Sequence, residues 1–104
     1  MHYAVICWDR DGSAELRRAR LDAHRDYVDA HAAALLVSGA LLAADGETRV
    51  GELFVLDVPD RTDAESFVAS DPLTASGVFK DVAITGMAFK FRGGKRISGG
   101  EVAS

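Results

Sequence analysis

The chain is poor in cysteine, proline and tryptophan: its 104 residues include one Cys, two Pro and one Trp. A lone thiol, Cys7, excludes an intrachain disulfide and fits a reducing compartment. It lies in a strand-like run, where a buried and inert thiol is expected. No apolar run approaches the roughly 20 residues of a membrane-spanning helix. An excess of basic charge is also missing. Twelve Lys and Arg are interspersed with 16 Asp and Glu, giving a net charge of −4 and a pI near 5.2. That distribution leaves no electrostatic footprint for nucleic acid. Glycine-rich nucleotide loops are absent too, since Gly93-Gly94 and Gly99-Gly100 precede no helix. The segment Met1 to Trp8 has no basic leader, and Asp9 and Asp11 follow its short apolar run. No signal peptide is expected, and the expected location is cytoplasmic.

What is present is the composition of a globular domain, 48% hydrophobic and 27% charged, with room at 11.1 kDa for one modest core. His2 to Trp8 is rich in β-branched and aromatic residues, with His2, Ala4, Ile6 and Trp8 on one face and Tyr3, Val5 and Cys7 on the other, and reads as a first strand. Ser13 is placed to cap a long helix running from Ala14 to Val37 and closed by Gly39. A short apolar run follows from Gly39 to Ala44, then the turn pair Asp45-Gly46, then a strand from Gly51 to Val58. Thr62 with Glu65 forms a predicted capping box for a second helix ending near Ser70. Val78 to Phe91 reads as the last strand. The domain is therefore expected to span residues 1–91, with 92–104 a flexible tail or one docked on a neighbouring subunit.

The order β-α-β-β-α-β is the ferredoxin-like arrangement, an α+β fold with a four-stranded antiparallel sheet. Two helices on one face leave the other bare, yet the strands carry apolar residues on both. A second copy of the chain is the simplest cover, so a homodimer is expected. Trp8, Phe54, Met87 and Phe89 are expected in the sheet core or lining a ligand cavity.

On the long helix, Arg17, Arg20, His24 and His31 fall between two apolar lines, where polar groups need partners to offset desolvation. His24 is either a partly buried imidazole bonded to a carbonyl or a general acid or base. His31 lies two turns on, about 10.5 Å along the axis, too far to share a zinc ion with His24. No metal site is expected; His31 reads as structural or interfacial, and His2 as a terminal strand residue. Asp71, followed by Pro72 and later Gly77, has the chemistry of a capped short helical turn. Ser76 lacks a nucleophile-elbow sequence and reads as the residue before a terminating glycine.

His24 two turns after Arg17, together with Asp71-Pro72, Gly77 and Val78-Phe79, resembles the YciI-like (YCII-related) family from Tyr3 to about Phe91. The resemblance implies a dimeric α+β barrel in which Asp71 bonds one ring nitrogen of His24 and the other nitrogen faces a pocket. Two departures stand out. Leu21 occupies the place where relatives often carry a second arginine, with Arg20 the nearest substitute. Asp45-Gly46-Glu47 stands where relatives tend to have Gly-Pro-like residues.

The function implied is proton transfer by His24 and Asp71 on a small cyclic or aromatic metabolite. Such chemistry is lyase-, isomerase- or dehydrochlorinase-like, with Arg17 or Arg20 meeting negative charge on the substrate and no bound cofactor. The alternative is a non-catalytic ligand-binding or accessory dimer, in which the pair only ties a helix to a loop. A haem or metal enzyme on the same fold is a third reading, which predicts coloured or metal-loaded protein.

Overall fold

The structure, a computed structural model, describes residues 1–97. Its elements are β1 (His2–Asp9), α1 (Ala14–Ala30), β2 (Leu35–Leu42), β3 (Arg49–Asp57), α2 (Arg61–Ser70), α3 (Pro72–Ala75), β4 (Phe79–Met87), β5 (Phe91–Arg92) and β6 (Lys95–Arg96). Strands 1 to 4 form one sheet in the order β2-β3-β1-β4, with every neighbouring pair antiparallel. This is the ferredoxin-like α+β fold.

Tyr3, Val5 and Cys7 on β1 stand opposite Leu56, Phe54 and Glu52 on β3, and all six are buried on one face of the sheet. Ala64, Phe67 and Val68 of α2, with Leu73 and Val78 beyond it, close the core against that face. Phe54 and Phe67 meet edge to face at 5.3 Å, a favoured aromatic geometry. On the opposite face Trp8 is 45% exposed, Val37 52% and Met87 37%, so Trp8 and Met87 lie outside the core of the single chain. Phe54 is fully buried, whereas Phe89 is half-buried and meets the His2 ring at a tilt, with centroids 4.6 Å apart.

Several boundaries differ from the sequence reading. The long helix stops at Ala30, where the His31 amide closes the last turn on Tyr27 and Val28. After a 3₁₀ turn at Ala32–Ala34, the segment Leu35–Leu42 pairs with β3. Leu35 and Val37 fall on the apolar lines of the helical period; pairing with a distant strand decides their conformation. Gly39 thus sits within a strand and not at a helix end. The second helix is capped by Asp60, whose side chain accepts from the Asp63 amide at 2.9 Å, and not by Thr62. Ser13 occupies the predicted cap position of α1, but its hydroxyl donates to the Arg10 carbonyl instead of accepting from the helix.

Strand β4 ends at Met87, and the residues after it form the β5–β6 hairpin around Gly93 and Gly94. Both glycines have positive φ, as the tightest hairpin turns demand. Of the tail expected at 92–104, residues 98–104 lie outside the described residues.

Gly51 is required where β3 passes β1. A Cβ there would collide with the backbone carbonyl oxygen of Cys7 and lie 3.1 Å from Cδ1 of Leu41. Gly51→Ala is therefore expected to cost about 1–3 kcal/mol of stability, the usual penalty of forced overpacking. Urea unfolding checks this, with Gly39→Ala, where the added methyl meets open space, as the nearly neutral control.

Candidate functional site

The inward stripe of α1 is polar. Arg17 and His24, two turns apart, are the buried residues of this helix, while Leu16, Tyr27 and Val28 are only partly covered. Ala19, Ala23 and Ala30, which helical periodicity placed on the apolar face, are exposed. A helix that turns an arginine and a histidine toward the sheet must satisfy both there.

Asp71 satisfies His24. It is the junction between α2 and α3 and has no exposed surface. Its carboxylate accepts from the Leu73 amide at 2.9 Å, which caps α3, and Pro72 fills the first helical position. Gly77, at φ +84°, ends the turn in a conformation that a side chain would strain. The same carboxylate lies 2.8 and 3.0 Å from Nδ1 of His24. Because an ionised carboxylate only accepts, Nδ1 carries the proton, and Nε2 is the bare nitrogen of the neutral ring. The Tyr27 hydroxyl donates to the Phe67 carbonyl at 2.7 Å and holds α1 on α2 beside this contact.

Arg17 is satisfied from the other side. Its Nε and Nη2 donate to the two Asp9 oxygens at 2.7 and 3.0 Å, and Nη1 donates to Oε1 of Glu52 at 2.9 Å. Nη2 also reaches the Gly51 carbonyl at 3.2 Å. Burial works against the guanidinium charge, but the bonds to Asp9 and Glu52 prevail and hold the arginine pKa above its ordinary value. For Glu52, burial pushes the carboxyl pKa up and Arg17 draws it partly back. Glu52 Oε1 stands 3.9 Å from His24 Nε2. The second ring nitrogen therefore faces a buried carboxylate, where the sequence reading expected a pocket.

The predicted residues thus fall into two groups. His24 and Asp71 are in contact, and Arg17 is linked to them through Glu52. Arg20 is exposed, and none of the hydrogen bonds or ion pairs among the described residues uses it. His31 is exposed, donating from Nδ1 to the Tyr27 carbonyl at 2.8 Å with its ring 4.2 Å from that of Tyr27. Ser76 caps the C-terminal end of α3. Cys7 is fully buried, and burial, followed by the negative charges of Asp71 and Glu52, pushes its thiol pKa up to about 12, which leaves it unreactive.

Sequence reasoning missed Glu52 and Asp9. The signal for Glu52 was its phase: positions 52, 54 and 56 share one strand face, so a carboxylate lies in register with Phe54 and Leu56. Asp9 passed for turn chemistry because its partner is on another element.

A cavity of about 540 Å³ opens at the N-terminal end of α1, lined by Trp8, Asp9, Ser13, Arg49, Lys80 and Asp81 among others. A smaller one of about 270 Å³ lies between α1 and α2 at Tyr27, His31, Phe67 and Ser70. His24 and Asp71 line neither. Among the described residues, no group of three or more His, Cys, Asp or Glu side chains is arranged to hold a metal ion. None of the described helices is long and apolar enough to cross a membrane.

The pattern of the YCII-related domain matches residues 1–88. No protein of curated function matches the sequence. Among solved structures, the fold is similar to that of 5-chloro-2-hydroxyhydroquinone dehydrochlorinase (TftG) from Burkholderia phenoliruptrix AC1100, in complex with 2,5-dihydroxybenzoquinone. The TM-score is 0.78 and the identity 26%, over 84% of this chain and 93% of that one.

Proposed function

The chain belongs to the YCII-related domain family, and from that premise we propose that it is a cytoplasmic small-molecule enzyme whose His24 and Asp71 transfer protons on a hydroxylated ring compound. The observation that carries this reading is the 2.8 Å contact between His24 Nδ1 and Asp71. It fixes the tautomer, orients the ring and leaves Nε2 as the basic atom, the arrangement a general base needs. In the forward direction Nε2 takes a hydroxyl proton: the O–H bond breaks, the N–H bond forms and the electron pair stays on oxygen. The imidazolium, stabilised by Asp71, then returns that proton to a ring carbon. This tautomerisation prepares loss of a leaving group such as chloride, and neither step consumes an oxidant or cofactor.

The ligand of the dehydrochlorinase, 2,5-dihydroxybenzoquinone, supports a ring with hydroxyl substituents as the substrate class. Arg20, one turn ahead of His24 and exposed, is the cation available to an anionic substituent. Arg17 is engaged by Asp9 and Glu52, and its part is to hold Glu52 in place.

The test is proton exchange. Hydroxylated and chlorinated hydroxylated benzenes, incubated with the protein in D₂O, are expected to exchange ring protons or release chloride. Wild type no faster than protein with His24 replaced contradicts the proposal. The rival, a non-catalytic module whose buried pair only ties α1 to the α2–α3 junction, draws on the 6% exposure of His24 and the complete burial of Asp71. It predicts ligand binding that His24 substitutions leave intact, with no turnover.

The partner in this reading is a second copy of the chain. Trp8, Val37 and Met87 are exposed on the helix-free face of the sheet, and packing two such faces together covers them in a dimeric α+β barrel. Light scattering is expected to give twice the 11.1 kDa of one chain; a monomer at micromolar concentration contradicts it.

A further inference from the structure

We infer that the cavity at the N-terminal end of α1 is a binding site for a small aromatic carboxylate, with the ring lying on Trp8 and the carboxylate meeting Arg49 and Lys80. Neither His24 nor Asp71 lines this cavity, so the inference stands independently of the acid–base reading above.

Trp8 supplies the apolar half of the site. It is the one tryptophan of the chain, 45% exposed near the end of β1, and it lines a cavity of about 540 Å³. That volume lies within the range of small-molecule sites. Across the ladder Trp8 is paired with Gly51 on β3 and Asp81 on β4, so its β3 neighbour has no side chain to cover the indole. An exposed indole beside a concavity favours a second aromatic ring over an aliphatic one of similar size.

Charge supplies the other half. Arg10, Arg49 and Lys80 line the cavity together with Asp9, Asp11 and Asp81. Asp9 is already engaged, because Arg17 donates to both its oxygens at 2.7 and 3.0 Å. Three cations then stand against two carboxylates, Asp11 and Asp81, a surplus of one positive charge. Arg10 is partly committed to the Gly77 carbonyl at 3.3 Å. Arg49 has one bond of 3.5 Å to the Glu47 carbonyl, and Lys80 takes part in none of the hydrogen bonds or ion pairs among the described residues. These two are the donors open to a ligand, and a guanidinium matches a carboxylate in plane and spacing. A monoanion suits the surplus, whereas a doubly charged phosphate ester meets more repulsion from Asp11 and Asp81.

The lining also includes Gly12, Ser13 and Ala14, which lead to α1 on the opposite face of the sheet from Trp8. In the dimer proposed above, a second copy lies against the sheet side of Trp8, and this loop side is the entrance.

Trp8 reports binding directly. Its fluorescence in the full chain is titrated with benzoate, benzamide and cyclohexanecarboxylate. Benzoate is expected to give a saturable change and to bind about tenfold more tightly than benzamide, the low end of what a hydrogen bond to a charged group contributes. It is expected to bind at least about threefold more tightly than cyclohexanecarboxylate, the worth of ring stacking. Combining Arg49→Gln with Lys80→Gln changes two exposed side chains and keeps the fold. That variant is expected to weaken benzoate about tenfold and to leave benzamide unchanged. His24→Asn is expected to bind benzoate as wild type does. Benzoate that gives no saturable change, or binds no better than either analogue, overturns the inference. So does full affinity in the double variant, or lost binding in His24→Asn, which puts the ring at the other site. The expected binding in a protein that exchanges no ring protons contradicts the proposed activity alone.

Discussion

Replacing His24 with asparagine is expected to lower kcat/KM by about 10²–10⁴-fold, the range supplied by a positioned acid or base, while the protein stays folded. The substitution separates chemistry from architecture. An asparagine amide nitrogen occupies nearly the position of Nδ1, so it still donates to Asp71, whose carboxylate has no exposure and accepts from the ring at 2.8 Å. What disappears is Nε2, the atom facing Glu52. Alanine at this position is a poorer test, because it strips the buried carboxylate of its ring partner and mixes lost stability with lost function. Steady-state kinetics with the first compound shown to exchange protons, beside a thermal melt, check both halves. Full activity in His24→Asn removes the acid–base role.

The second large effect is on stability. Asp71→Ala is expected to destabilise the protein by about 3 kcal/mol, from the lost cap of α3 and a buried imidazole N–H left without an acceptor. One side chain serves both: it accepts from Leu73 at 2.9 Å and from His24. It also joins α1 to the segment leading into β4, so its loss is felt across sequence-distant elements. Asp71→Asn keeps an oxygen for both donors and is expected to retain most of the stability. It removes the charge that stabilises an imidazolium, so activity falls in a protein that still unfolds cooperatively. Urea denaturation of the two variants checks the contrast, and equal stability of Asp71→Ala and wild type contradicts it.

These two residues were legible in the sequence because each carries a local signature. Asp71 precedes Pro72 in the manner of a helix cap, and His24 interrupts the apolar lines of a helix. Their contact, made between α1 and the α2–α3 junction, was legible only through the family resemblance. The element order was readable for the same local reason, since β1, α2 and the α3 turn are each bounded by turn or capping chemistry. The end of α1 was not. Ala34, Leu35 and Val37 satisfy a helical period, and the switch to β2 is decided by pairing with β3, which no local window contains. Glu52 and Asp9 were hidden for a related reason. Each looks ordinary within its own segment, and only the folded chain brings both onto Arg17.

The central claim is that Asp71 holds the Nδ1 proton of His24 and leaves Nε2 free to work. Long-range ¹H–¹⁵N NMR of imidazole-labelled protein reads this directly. The account predicts a protonated Nδ1, with its proton shifted downfield by the bond to Asp71, and an unprotonated Nε2 in the neutral ring; Asp71→Asn is predicted to move that proton back upfield. A neutral ring protonated at Nε2, or an Nδ1 proton indifferent to Asp71→Asn, contradicts it.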